Sequence, residues 1–227
     1  MTALVASPPP LDPFQEIAED LYRQGWSITG QLVPETLAWA LIAEATALWD
    51  DGAFQRAGIG RADAQQLRPE IRGDRIHWLD PFTVGDAQRE YLRLLGSLQS
   101  ALNRTLFLGL FHFEGHFALY PPGTFYRRHL DVFRDAPERT VTCILYLNPQ
   151  WQPGHGGELR IFLENGTTMD VAPRMGTLVV FLSHELEHEV LETMCERMSV
   201  TGWFKVRGLD ESPLTADDSL GGSIRSV

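Results

Sequence analysis

The chain has 227 residues, with 30 acidic and 19 basic side chains, a formal net charge of −11 and 44% hydrophobic residues. That length suits one domain with a sizeable core, and the acidity excludes a sequence-independent nucleic-acid surface, which needs a basic face against phosphate. A cationic segment of a protein partner would suit the overall charge better, although solubility is its simplest meaning.

Residues 1–12 are proline-rich and predict a flexible lead without regular structure. They carry no basic stretch, and no later apolar run approaches a bilayer span, so the expectation is a cytoplasmic protein without a membrane partner. The two cysteines, Cys143 and Cys195, lie outside any zinc-like spacing and fit a reducing compartment. Phe14, Ile17, Leu21 and Tyr22 recur at helical spacing until Gly25 stops them, and the short apolar stretch 26–28 follows. Pro34 opens a second helix through residue 50. Residues 51–72 are polar and glycine-bearing with too little periodicity for a firm element. Residues 75–79 alternate like a strand, and 87–106 form an amphipathic helix with Tyr91, Leu92, Leu94, Leu95, Leu98 and Leu102 as its apolar set.

Beyond that helix the texture changes. Short alternating or apolar runs at 113–120, 125–130, 140–147, 158–163, 169–171, 178–182, 188–191 and 198–206 are punctuated by turn residues, Asn165–Gly166 being a strong hairpin signal. Their number and spacing predict a mainly β fold with flanking helices: a double-stranded β-helix, or jelly roll, supported by N-terminal α-helices. The expected organisation is a single domain over 13–207, with helical support at 13–110 and the jelly-roll core at 111–207, and a disordered polar tail at 208–227.

Four residues of the β-rich half carry chemistry. His129 and Asp131 are two apart in YRRHLDVF and so share one face of a strand. A second imidazole from a distant strand would complete a two-histidine, one-carboxylate facial triad, which holds Fe(II) and leaves positions open. The candidate is His188, with His184 as its rival four residues earlier; spacing to Arg197 favours His188. If the chain turns around residues 192–196, antiparallel register sets Arg197 opposite His188. A guanidinium beside such a metal is matched to the far carboxylate of a chelating dicarboxylate, which implies 2-oxoglutarate. Arg197, Ser199, Thr201 and Trp203 share one strand face while Met198, Val200 and Phe204 share the other, so the polar set lines a pocket and the apolar set a core. His77, His112, His116 and His155 receive no metal role.

From residue 71 to residue 204 the chain resembles the prolyl hydroxylase domain branch of the Fe(II)/2-oxoglutarate dioxygenases, on RGD, YPPG, HLD, RTVTCILYLN, GGELRIF, HEV and an arginine before TGW, all in order. That branch includes the hydroxylases of hypoxia-inducible factor and bacterial relatives acting on elongation factor Tu. The resemblance implies a peptidyl-prolyl 4-hydroxylase using Fe(II), 2-oxoglutarate and O2, with ascorbate as a supporting reductant and a protein bearing a target proline as partner, elongation factor Tu first among candidates. It favours His188 over His184 and makes residues 51–74 a finger loop over the substrate, with Arg72 and Asp74 at its return. It implies that Tyr146 shares the distal carboxylate with Arg197, that Tyr120 and Thr201 border the cosubstrate, and that Arg139, Trp203 and Tyr126 line the substrate channel, Arg139 alternatively pairing with Asp74. Asp131 favours hydroxylation over halogenation, since related halogenases lack that carboxylate. The rival readings are an oxygenase of small molecules or free peptides, a cupin-like metal protein needing no distal anchor, and a catalytically silent binding module.

Overall fold

Asp12 and Gly25 bracket the first helix through complementary chemistry. The Asp12 side chain accepts from the Phe14 amide, Pro13 supplies a preset first position, and Gly25 closes α1 (Pro13–Gln24) in the left-handed region at φ 80°. The computed structural model of the protein describes residues 12–58, 68–80, 82–132 and 138–207. The predicted lead, except for Asp12, the tail at 208–227 and residues 59–67 of the expected finger fall outside the described residues.

α1 buries Ile17, Ala18 and Leu21, while Tyr22, a turn of about 100° round the helix from Leu21, projects to solvent. α2 (Glu35–Asp50) follows Pro34, and α3 (Asp86–Leu106) presents Tyr91, Leu95, Leu98 and Leu102 to the core. α1 and α2 both pack on α3. Together the helices cover one face of a seven-stranded sheet ordered β1-β9-β6-β11-β4-β3-β2. Its strands are β1 (Trp26–Thr29), β2 (Gln55–Arg56), β3 (Arg75–Trp78), β4 (Leu110–Tyr120), β6 (Arg139–Tyr146), β9 (Leu178–Leu182) and β11 (Arg197–Val206). β5 (Tyr126–His129), β7 (Leu159–Phe162), β8 (Thr168–Val171) and β10 (His188–Val190) form a second sheet ordered β5-β10-β7-β8. Pairing is antiparallel throughout both sheets.

Alternation divides the large sheet into two faces. Val141, Cys143, Leu145, Val200 and Phe204 meet the helices, while Ala118, Ile144, Tyr146, Val179 and Phe181 meet Leu159, Ile161 and Val190 of the small sheet. The result is the double-stranded β-helix expected from the strand pattern, and the space between its sheets holds the candidate site. Among the described residues, no helix is long and apolar enough to cross a membrane.

The expected hairpin joining His188 to Arg197 does not form. β10 pairs with β5 and β7, whereas β11 lies between β4 and β6 in the other sheet. The linking residues cross between sheets, held by the Gly156–Thr193 bridge and by the Thr193 amide donating to the Thr124 carbonyl. Register therefore does not set Arg197 opposite His188; the two meet because inner faces of opposed sheets line one cavity. The segment without firm periodicity contains the two-residue strand β2, too short to show alternation.

Candidate metal centre

His188 and His129 are direct cross-strand partners in the small sheet, so their imidazoles leave the same face with ring centroids 4.3 Å apart. Asp131, just past the end of β5, turns to that side. Its Oδ1 lies 3.6 Å from His129 Nε2 and its Oδ2 3.8 Å from His188 Nε2. One ligand atom from each residue falls within 4.8 Å of the others. The Nδ1 atoms of His129 and His188 face the carbonyls of Arg127 at 2.7 Å and Leu186 at 3.1 Å. Donation of Nδ1–H to these carbonyls leaves both Nε2 lone pairs aimed at the common point.

Burial alone would raise the Asp131 carboxyl, but the two imidazoles and the Thr142 hydroxyl outweigh it and hold the group well below the usual carboxylate range. Thr142 Oγ1 donates to Asp131 Oδ2 at 2.8 Å and meets Ser183 Oγ at 2.9 Å. Burial lowers His188 to about 4 despite the opposing pull of Asp131. Neutral nitrogen and ionised oxygen are thus both available to a cation. His129 also stacks on Tyr126 with centroids 3.7 Å apart, and Phe181 meets His188 edge-on. His184 lies outside the cluster, exposed beside Glu185. Two imidazole nitrogens and one carboxylate oxygen converging from one side fit a ferrous ion with open positions.

The same cavity, about 90 Å3, is lined by Arg197, Tyr120, Tyr126, Thr201, Trp203, Arg139 and Arg72 together with the three clustered residues. Arg197 is 3% exposed. Its Nε donates to the Gly157 carbonyl at 2.7 Å, and its guanidinium carbon sits 4.9 Å and 5.0 Å from the ring centres of Tyr120 and Tyr146. Among the described residues no carboxylate pairs with it, and the buried Tyr146 hydroxyl has no hydrogen-bond partner. Burial pushes the Tyr146 phenol up to about 12 against the pull of Arg197, so it stays a neutral donor. A buried cation without a counter-charge and an idle hydroxyl beside it form a receptor for a carboxylate.

At the mouth, Arg72 grips Asp74 in a fork, Nε to Oδ1 at 2.8 Å and Nη2 to Oδ2 at 2.5 Å, while its guanidinium lies 4.5 Å over the Tyr126 ring. Arg139 does not pair with Asp74. It meets Glu114 at 2.8 Å and stacks 3.6 Å over Trp203. Register explains the choice: Glu114 lies opposite Trp203 and Arg139 opposite Lys205, which makes Glu114 and Arg139 near neighbours across β11. Thr201 reaches the cavity with its hydroxyl 3.3 Å from Ser199.

Four participants were given no role from sequence. Thr142 and Ser183 support Asp131, and His116 and Trp78 line the cavity. Counting back by twos from Tyr120 along β4 would have found His116, which faces Trp78 across the strand pair. Among the described residues, buried His116 Nδ1 and Trp203 Nε1 find no hydrogen-bond partner.

Residues 115–205 match the family model of the 2OG-Fe(II) oxygenase superfamily. The chain is similar to the crystal structure of a Pseudomonas putida prolyl-4-hydroxylase, with 48% identity, a TM-score of 0.79, and coverage of 85% of this chain and 98% of that one. The chain belongs to the prolyl hydroxylase family of 2OG-Fe(II) oxygenases. It is also similar to a prolyl hydroxylase from Trichoplax adhaerens in complex with a hypoxia inducible factor peptide fragment, at 25% identity and TM-score 0.77, covering 85% of this chain and 88% of that one. Egl nine homolog 1 of Rattus norvegicus is 34% identical over 171 residues, 71% of this chain and 49% of the relative, so the match spans about half that relative's length. In this prolyl hydroxylase family member the matched span carries His129, Asp131, His188, Arg197, Tyr146 and Thr142 together. That donor set and the free guanidinium fit Fe(II) and 2-oxoglutarate.

Proposed function

We propose that the chain is an Fe(II)- and 2-oxoglutarate-dependent dioxygenase, acting as one domain over residues 13–207, that hydroxylates a prolyl residue in a protein. The observation that carries the reading is Arg197: a buried guanidinium with no carboxylate partner among the described residues, in the same cavity as a two-histidine, one-aspartate cluster. His129, Asp131 and His188 hold the iron, with Thr142 orienting Asp131 and the Arg127 and Leu186 carbonyls fixing both imidazole tautomers. Arg197 and Tyr146 bind the distal carboxylate of 2-oxoglutarate, while Tyr120 and Thr201 wall its side of the cavity. When bound, iron with 2-oxoglutarate and O2 supplies the oxidation, releasing succinate and carbon dioxide as one oxygen atom enters a substrate C–H bond.

Arg139, Trp203 and Tyr126 present the substrate residue, and the Arg72–Asp74 fork braces the mouth. The aromatic walls exclude water and restrict which C–H bond reaches the cluster. No side chain needs to act as a nucleophile or general base. Elongation factor Tu is the first substrate to test, because the sequence resemblance extends to bacterial relatives that act on it. A cytoplasmic location accords with two unpaired cysteines, one of them exposed.

The test is incubation with elongation factor Tu, and separately with a cell extract, in the presence of Fe(II), ascorbate and 2-oxoglutarate. Mass spectrometry should find a proline heavier by one oxygen atom, matched by succinate. Arg197→Ala should weaken 2-oxoglutarate binding about 10- to 150-fold, the range of one charge-assisted hydrogen bond. Wild-type succinate formation by His188→Ala would overturn the triad.

A further inference from the structure

A second cavity, of about 290 Å3, adjoins the first and shares Arg72 with it. Among the described residues its lining includes Arg56, Arg72 and Arg75 and one carboxylate, Asp74. Asp74 offers no compensation to Arg56 and Arg75, because it is 2% exposed and both of its oxygens are taken by Arg72. This is a local excess of positive charge on a chain whose net charge is −11.

The ladder between β2 and β3 makes the excess sharper. Arg56 and Arg75 are direct cross-strand partners, a placement that sets like charges about 5 Å apart at Cβ and destabilises a strand pair. Among the described residues neither has a carboxylate partner; Arg75 packs 5.7 Å over the Trp49 ring and Arg56 is exposed. A two-residue strand gains little from its own hydrogen bonds, so a repulsive pair on it works against local stability. The arrangement becomes favourable once an anion lies between the two guanidinium groups.

We propose that this arginine-lined cavity is a docking site for an acidic segment of the protein substrate, adjacent in sequence to the residue that enters the metal cavity. The inference rests on the oxygenase reading of the first cavity. Arg72 belongs to both linings, so a polypeptide leaving one cavity passes directly into the other. Guanidinium forks favour carboxylates, and peptides carrying Asp or Glu beside the target are selected over neutral and basic ones. The local sign thus reverses the preference for a cationic partner expected from net charge alone.

The test uses the full chain with Fe(II) and 2-oxoglutarate under argon and fluorescent proline-centred peptides of equal length, flanked on either side by glutamates or by glutamines. Glutamate flanks should tighten binding, and the advantage should shrink as ionic strength rises. Arg56→Gln and Arg75→Gln should each remove about threefold of that advantage, and the double variant of order tenfold, the usual range for exposed ion pairs. Arg56→Glu, at an exposed position, should invert it. Arg56→Gln should also leave the fold as stable or more stable, since it relieves repulsion, which separates docking from a structural role. Equal binding of glutamate and glutamine peptides, or a preference that survives Arg56→Glu, would overturn the proposal. Peptide-independent turnover of 2-oxoglutarate in air reads the oxygenase assignment separately: its absence in the unaltered chain would count against that assignment and leave the peptide preference as measured.

Discussion

Thr142 shows how much of the centre depends on residues that touch no metal. Its hydroxyl donates to Asp131 Oδ2 from a fully buried position on the opposite sheet, so it fixes the turn of the carboxylate, with Oδ1 toward His129 and Oδ2 toward His188. Thr142→Val keeps the shape and deletes the donor. Metal affinity should fall about 10- to 100-fold, as for other supports of metal ligands, and Thr142→Ser should restore it; titration with Fe(II) or Co(II) measures both. His116 gives a different expectation. Burial lowers it to about 3 from an ordinary 6.5, so between those values the unfolded chain binds a proton that the folded chain refuses. Stability from this site is therefore complete above the upper value and is lost as pH falls through the window. His116→Leu should narrow its stability gap to the parent, or reverse it, as pH drops from 7 to 4 in denaturant titrations. His129 and Asp131 were legible in sequence as a closely spaced pair, but β5 ends at His129, so a bend of the chain and not strand alternation brings Asp131 to the same side. Thr142 and His116 were not, because their significance depends on which strands lie opposite, and composition does not carry that.

Strands and helices could be located from alternation, helical spacing and caps, while the assignment of strands to sheets could not. The β10–β11 link illustrates the difference: its length allows a hairpin, but Thr193 anchors it to Thr124 and Gly156, and the chain crosses to the other sheet. That crossing makes the GHGG turn part of the site. Gly157 has φ +74°, its carbonyl accepts from Arg197, and a Cβ there would stand 2.9 Å from Arg197 Cδ. Gly157→Ala should cost about 1–3 kcal/mol of stability from left-handed strain and overpacking, and should raise the KM for 2-oxoglutarate by displacing the guanidinium. Gly166→Ala is the control. That residue has φ +81° with nothing within 4 Å of its Cβ position, so it should carry the strain and leave the KM unchanged.

On the scale of the whole molecule, the two sheets are unequally supported. The seven-stranded sheet is backed by three helices, while the small sheet packs through Leu159, Ile161, Val171 and Val190 onto the inner face of the large one. His129 and His188 belong to the small sheet, and Asp131 is tied to it by sequence and to the large sheet by Thr142. A cation held by all three residues therefore clamps the less supported layer to the better supported one. Binding only to the folded state stabilises it by about 2.7 kcal/mol at a free metal concentration about 100 times Kd. For a chain of this size that corresponds to a rise in Tm of about 5–10 °C. Chelation should reverse the rise, and Asp131→Ala should abolish it. Hydrogen exchange with and without Mn(II) should place the added protection in β5, β10 and β7 in preference to α1 and α3, because only the small sheet gains a connection it otherwise lacks. Protection spread evenly over helices and strands would mean that the ion stabilises the fold as one unit and that the small sheet is not a separately yielding layer.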